Sequence, residues 1–485
     1  MKLTHQYPLT EGLSISRVIT GLWQIADMER EGRKLDSQKL AVSMKNYVDA
    51  GLTTFDMADH YGSAEDISGV YHEQFGNKFP AQFFTKWVPE PGAITKDRVR
   101  IAVNKSRKRL KTDAIDVMQF HAWNYADPSW LDALYFLQEL KSEGIIKHIG
   151  VTNFDTAHLR IAVKSGIEII SNQVCFSLID QRAAAGMTKL CAETGVRLLA
   201  FGTLAGGFLS DRWIGKTEPA IDNTFTWSQM KYKRFIDEAG GWATYQQLLR
   251  SLEQIAIKKH VSIANVATRY IMEQPAVAAV IIGARLGESE HVMETLQLFS
   301  LDLSDDEKAT INLAQQELLR IPGDCGDEYR KPPFLTASGD LSHHVENFPS
   351  PYPVVQHNNR TKVVSGTVWE DLAGYARAVR KGNHISISGT TATHGNLVIG
   401  STDAAAQAHF VIDKLEGALQ SLGSKLEDVV RTRIFVRNIH DWEPVARAHG
   451  ERFKNIQPAN TLVKAELVGE EYLVEIEADA IVDEY

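Results

Sequence analysis

Between Arg17 and Ile282, short apolar runs alternate eight times with longer segments whose apolar residues recur at helical spacing. The runs are Arg17–Trp23, Thr53–Met57, Phe83–Lys86, Ile115–Phe120, Lys147–Thr152, Glu168–Val174, Val196–Phe201 and Ala278–Ile282. Between them lie helical patterns such as Ser37–Ala50 (stopped by Gly51), Lys96–Leu110, Pro128–Glu143, Asp155–Lys164 and Arg182–Thr194. Strands separated by helices cannot pair as hairpins, because each crossover returns the chain to the same side of the sheet. They pair in parallel, and eight such units close into a (β/α)8 barrel.

The barrel gives meaning to the residues at the strand ends, since chemistry in this architecture sits where strands finish and loops begin. Three successive runs end in polar groups: Asp56, followed five residues later by Tyr61; then Lys86; then His121. A phenol is a poor acid at neutral pH. A neighbouring ammonium is expected to lower its pKa, and a carboxylate to keep that ammonium charged and oriented. A histidine beside them can hydrogen-bond a carbonyl oxygen.

Those four residues, in that order and context, resemble the Asp-Tyr-Lys-His tetrad of the aldo-keto reductase family. The resemblance implies that Asp56, Tyr61, Lys86 and His121 are catalytic, with Tyr61 protonating a carbonyl and His121 orienting and polarising it. It further implies that Thr152, Asn153 and Gln173 hydrogen-bond a nicotinamide carboxamide and that Phe201 stacks on the nicotinamide ring. The loop carrying Gly202, Leu204 and Gly206 would approach the pyrophosphate. Arg285 falls at the position that grips the 2′-phosphate of NADP, and Glu294 at that of the acid near the adenine. Leu286 and Thr295 depart from the serine and asparagine common there, so NADPH is the expected cofactor with NADH use left open. Trp23 and Trp123 match regions that wall the substrate pocket. The long insertion from Asp211 to Gly241 is the expected lid.

Composition adds exclusions. A net charge of −9 gives no electrostatic footprint for nucleic acid or an anionic membrane. Cys175, Cys191 and Cys325 are scattered without metal-ligand spacing, and His343-His344 has no companion ligands, so no metal site is expected. No apolar run approaches the length of a membrane span, and the first ten residues carry no signal-peptide pattern. The expectation is a cytoplasmic protein.

Helical periodicity ends near Leu319, and a stretch with Pro332-Pro333 and Pro349-Ser350-Pro351 follows. The expected division is a barrel over residues 1–320, a linker over 321–355 and a second domain over 356–485. In the last of these, Ser365–Trp369, Tyr375–Val379 and His384–Thr391 alternate as strands. Ala404–Leu422 and Trp442–Phe453 read as amphipathic helices, and Val429–Val436 and Leu473–Ile481 as further strands. With Ser388-Gly389-Thr390, Arg431-Thr432-Arg433, Gln457-Pro458-Ala459 and Val474–Ala478, this segment resembles the Rid (YjgF) family, small α+β domains that form trimers with clefts between subunits. Active members carry an arginine where this chain has Asn460, whereas the acidic position, Glu475, is kept. A neutral amide cannot make the bidentate pair with a substrate carboxylate, so the resemblance implies binding or assembly into a trimer more than deamination.

The expected function is NADPH-dependent reduction of a small aldehyde or ketone by a homo-oligomer. Two alternatives stay open from sequence alone: reduction of imines with the Rid-like half handling imine or enamine species, and a cofactor-sensing regulatory subunit without catalysis.

Overall fold

The computed structural model describes residues 4–483, apart from the side chains of Ser338, Ser342 and His343. Eight parallel strands form the closed barrel: β1 Val18–Gly21, β2 Thr54–Asp56, β3 Gln82–Trp87, β4 Ile115–Phe120, β5 Ile146–Thr152, β6 Ile169–Cys175, β7 Arg197–Phe201 and β8 Val277–Gly283. Closure is made by β8 against β1, with Val280 opposite Val18 and Gly283 opposite Gly21. The alternation has its expected consequence: each strand is buried on both faces, inward against the barrel core and outward against a helix. A hairpin not anticipated from the sequence, Gln6–Thr10 with Leu13–Ser16, comes first. Its Leu9, Leu13 and Ile15 pack with Ile19, Phe84, Val117 and Leu199 in one apolar cluster. Four- and five-residue strands give too little periodicity to be read alone.

The C-terminal domain is a seven-stranded sheet: β9 Val354–His357, β10 Arg360–Val363, β11 Ala378–Lys381, β12 His384–Thr391, β13 Val429–Val436, β14 Ala459–Lys464 and β15 Val474–Ile481. Its order is β9-β10-β11-β12-β15-β13-β14, antiparallel except where β13 and β14 run in parallel at the edge. Trp369, expected in a strand, lies in the short helix Val368–Ala373.

The two domains are joined more tightly than a linker implies. Helix α1, Thr156–Lys164, lies on the outside of the barrel, and helix α3, Ala404–Ser421, packs on both it and the C-terminal sheet (α2, Trp227–Glu238, belongs to the barrel's long insertion). Fourteen of the eighteen residues of α3 are buried, so it is covered on both sides where amphipathic patterning suggested one. Gly417 marks the closest approach: a Cβ there would fall 2.4 Å from the Ala126 carbonyl oxygen. Polar contacts cross the same seam. His158 Nε2 meets Asp413 Oδ2 at 2.9 Å, Arg160 donates to Asp403 at 2.8 Å, and His394 pairs with Asp132 at 2.8 Å.

The segment expected to be a linker is also structured. Asp327–Arg330 forms a helical turn whose Glu328 is held by Arg182 at 2.8 Å. Arg330 donates to the carbonyls of Ala122 (3.0 Å) and Asn153 (2.6 Å), tying the segment to two barrel loops. Strand β9 begins at Val354, inside the same expected linker. Composition alone misread it, because prolines punctuate an ordered strap as readily as a loose one.

Candidate active site at the barrel mouth

A cavity of about 540 Å³ opens at the C-terminal ends of the barrel strands, within the usual size of a small-molecule site. Asp56 ends β2, Lys86 lies near the end of β3, and His121 follows β4; Tyr61 comes from the loop after β2. The cavity is lined by these four and by Thr152, Asn153, Gln173, Phe201, Gly202, Leu204, Gly206, Arg285, Glu294, Trp23 and Trp123. Every barrel residue expected to act on substrate or hold cofactor therefore lines one space.

Its floor is a buried ion pair. Lys86 Nζ donates to Asp56 Oδ2 at 2.6 Å and to the Met57 carbonyl at 2.8 Å, and stands 4.9 Å from the centre of the Tyr61 ring. The other oxygen of Asp56 accepts from Gln119 Nε2 (2.9 Å) and Gln173 Nε2 (2.7 Å). A carboxylate so enclosed has its lone pairs occupied and its orientation fixed. Gln119, in the middle of an apolar run, had no sequence signal. Gln173 gives its amide N–H groups to Asp56 and Gln119, which leaves Oε1 as the atom to meet a cofactor carboxamide.

The electrostatics also correct one expectation. Tyr61 is pushed well above the ordinary phenol range, by burial first and by the Asp56 charge second. Burial lowers the Lys86 pKa, with Asp56 opposing. Burial and the Asp56 charge both favour the neutral phenol, so Tyr61 keeps its proton at neutral pH. His121 is lowered well below its usual value, by burial and then by Arg330, and is neutral. Its Nε2 is buried without a partner. The neutral ring thus presents an open Nε2 to the cavity, as a lone pair in one tautomer and as an N–H donor in the other. The first accepts from a hydroxyl and the second donates to a carbonyl oxygen.

The walls are aromatic. Trp23 meets the Tyr61 ring edge-on at 4.9 Å, and Trp123 meets His121 at 4.3 Å while donating Nε1–H to the Pro89 carbonyl. The His344 ring lies 5.2 Å from Trp123 on the same wall. No cluster of metal-ligating side chains occurs among the described residues.

Other groups in the cavity suit a nicotinamide cofactor. Asn153 Oδ1 and Thr203 Oγ1 are buried without partners, and a carboxamide supplies N–H donors for such atoms. Gly202 and Gly206 have φ of +75° and +64°, and a Cβ on either would collide with Tyr232 or the Ser228 backbone. Arg285 differs from a free phosphate clamp: Asp27 and Glu288 hold it at 2.9 and 3.1 Å. Glu294 accepts from Ser262 at 2.7 Å.

Three contributors were missed by sequence reasoning: Lys231 of α2, and Tyr329 and Asp340 of the strap. Strap and α2 meet closely enough that a Cβ on Gly339 would fall 2.3 Å from the Trp227 ring. No motif marks these residues; only the path of the strap brings them to the mouth.

In the C-terminal domain, the two residues singled out are not brought together. Asn460 on β14 donates to Thr432 Oγ1 at 2.9 Å, while Glu475 on β15 lies beside Gly389. β13 lies between their strands, and the register Thr432↔Asn460 and Phe435↔Glu475 separates them by roughly 14 Å at ordinary strand spacing. Burial and the neighbouring Glu477 raise the Glu475 pKa.

Comparison with known proteins agrees with both halves. Residues 17–315 match the family model of the aldo/keto reductase family, and residues 366–482 that of endoribonuclease L-PSP. The barrel is 27% identical over 260 residues to Protein tas of Escherichia coli, covering 49% of this chain and 72% of that protein. The C-terminal part is 33% identical over 120 residues to the uncharacterized protein SCO2049 of Streptomyces coelicolor, covering 24% of this chain and 90% of that one. The solved glycerol dehydrogenase AKR11B4 of Gluconobacter oxydans shares the barrel fold, with a TM-score of 0.54 and 21% identity over 66% of this chain and 98% of that one. A match over residues 17–315, more than half of the chain, settles the family: this chain belongs to the aldo/keto reductase family and carries a C-terminal domain of the endoribonuclease L-PSP (YjgF) type.

Proposed function

We propose that the chain reduces a small aldehyde or ketone to an alcohol with a nicotinamide cofactor, NADPH in preference to NADH. The observation that carries this reading is the Tyr61 ring, 4.9 Å from the ammonium of the Lys86–Asp56 pair, in one cavity with the unpartnered His121 Nε2 and Asn153 Oδ1. When bound, the cofactor would supply the hydride. The chain's own groups do the rest. Tyr61 O–H donates to the carbonyl oxygen and gives up its proton as charge develops there. The Lys86 ammonium, fixed by Asp56, stabilises the phenolate left behind. His121 Nε2 hydrogen-bonds the same carbonyl oxygen and orients it, and the tryptophan walls exclude water. Asn153 Oδ1 would accept from the carboxamide beside Thr152, with Phe201 against the nicotinamide ring.

Arg285 would take the 2′-phosphate by sharing its guanidinium with Asp27 and Glu288, two carboxylates that temper the preference for NADPH. The chain is tested by following NADPH and NADH oxidation over aldehydes, ketones and cyclic imines. Turnover confined to imines would favour the imine-reductase alternative, and none at all the regulatory one.

For the C-terminal domain we propose assembly, as a trimer or a multiple of one. What supports this is its exposed apolar side chains: Val368 (75%), Leu372 (77%), Trp369 (52%), Trp442 (51%), Val430 and Val463. A monomer seldom leaves so many large apolar groups in water within one small domain. Asn460 and Glu475, too far apart to form a cleft in one chain, would each need a neighbouring copy. Light scattering on the intact chain tests this reading.

A further inference from the structure

The same cavity holds a second phenol–ammonium pair that the reduction does not use. Lys231 Nζ donates to Tyr329 Oη at 2.5 Å, and the Lys231 side chain is only 6% exposed. The ammonium is caged by aromatic rings, 4.5 Å from the centre of Tyr329 and 5.1 Å from that of Phe201. Asp340 Oδ2 stands 3.7 Å away, beyond hydrogen-bond length but close enough to balance the charge. The Tyr329 ring is 5.5 Å from the His121 ring, and all of these residues line the cavity.

Hydrogen-bond direction makes this pair a recognition element. An ammonium can only donate, so Tyr329 must accept from Lys231, and its own O–H is left to donate elsewhere. One of three ammonium N–H groups is used on Tyr329, which leaves donors on both residues for a ligand oxygen. A buried cation with a carboxylate at 3.7 Å is already compensated, so a second anion is not what the site lacks. A neutral oxygen is.

Resting on the reductase reading above, we propose that Lys231 and Tyr329 recognise a second, neutral oxygen of the substrate. The preferred substrates are then carbonyl compounds bearing a hydroxyl or second carbonyl within about one to three carbons of the reacting one. The short ring-to-ring distance from His121 sets that reach. A site built to hydrogen-bond an oxygen discriminates strongly against the analogue that lacks it, because the buried donors are then stranded.

The test is a ratio of kcat/KM values on the intact chain: 2-hydroxypropanal over propanal, with glyoxylate as a charged comparison. The expected ratio is at least tenfold, falling to within threefold of unity in Tyr329→Phe and in Lys231→Met. A loss of fold or of cofactor binding lowers both aldehydes together and leaves the ratio in place, so only an oxygen contact moves it. A ratio near unity in the unaltered chain overturns the proposal, as does an unchanged ratio in Tyr329→Phe. A stronger preference for glyoxylate than for 2-hydroxypropanal overturns the assignment of a neutral oxygen. Turnover of neither aldehyde overturns this proposal and the reductase reading together, whereas turnover with a flat ratio overturns this proposal alone.

Discussion

The barrel mouth and the C-terminal sheet differ in what each leaves unsatisfied. At the mouth the unsatisfied groups are polar and inside: His121 Nε2, Asn153 Oδ1 and Thr203 Oγ1 are buried without partners. On the C-terminal domain they are apolar and outside: Trp369 and Leu372 of its short helix and Val430 and Val463 of its sheet face water. A buried polar atom without a partner costs roughly 1–3 kcal/mol, a penalty a ligand can relieve. An exposed apolar side chain forfeits about 25 cal/mol per Å², which only another apolar surface recovers. The first deficit suits a small molecule and the second a protein partner, so one chain carries two kinds of incompleteness.

The largest effect at the mouth is expected from Tyr61→Phe. It removes the proton donor and leaves the ring against Trp23, so carbonyl turnover should fall about 10²–10⁴-fold while cofactor titration changes little. Steady-state turnover close to the original would remove Tyr61 from the chemistry.

The seam between the regions comes next. Burial disfavours a charged His158, but Asp155 and Asp413 on either side outweigh it and raise its pKa. His158→Ala leaves those carboxylates facing each other across the seam, with only Arg452 still on Asp413. A loss of about 3–5 kcal/mol in urea unfolding is expected. The pH dependence has a fixed sign. His158, raised on folding, contributes fully below its unfolded value near ~6.5, and that contribution is lost as pH rises through its folded value. Asp413 is held low by His158 and Arg452 although burial opposes them. It contributes above its unfolded value near ~3.9, and this is lost as pH falls through its folded value. Stability insensitive to His158→Ala would mean that the domains merely touch.

Most of the barrel was legible because parallel strands covered on both faces give continuous apolar runs, and because catalytic groups at strand ends sit at the boundaries of those runs. Asp56, Lys86 and His121 were found in that way. Gln119 was not, being a polar residue inside an apolar run whose purpose emerges only when Asp56 is seen across the barrel. Lys231, Tyr329 and Asp340 were invisible for another reason: a strap crossing the mouth leaves no periodicity. The same blindness made residues 321–355 read as a linker and α3 as an ordinary amphipathic helix. A helix covered from two sides by two domains looks in sequence like an amphipathic helix with extra alanines.

Smaller effects divide along the same line between mouth and sheet. Arg285→Ala should weaken NADPH by roughly 1.5–3 kcal/mol and NADH far less, read by fluorescence titration. Asp27→Asn, which frees Arg285 from one carboxylate, should shift the preference modestly toward NADPH. Equal losses of both cofactors in Arg285→Ala would place the phosphate elsewhere. On the sheet, Leu372→Glu puts a charge on the exposed helix of the C-terminal domain. It should lower the mass measured by light scattering from a multiple of three chains toward one, and an unchanged mass would exclude that helix from the interface.

Whether the barrel mouth is a working carbonyl-reduction site is decided by cofactor oxidation on the intact chain. NADPH absorbance is followed with and without 2-hydroxypropanal at neutral pH, where burial keeps Tyr61 protonated. Aldehyde-dependent loss of NADPH is expected, with one alcohol formed per cofactor oxidised. An NADPH trace that is the same with and without aldehyde, repeated with NADH, would contradict a reductase at the barrel mouth.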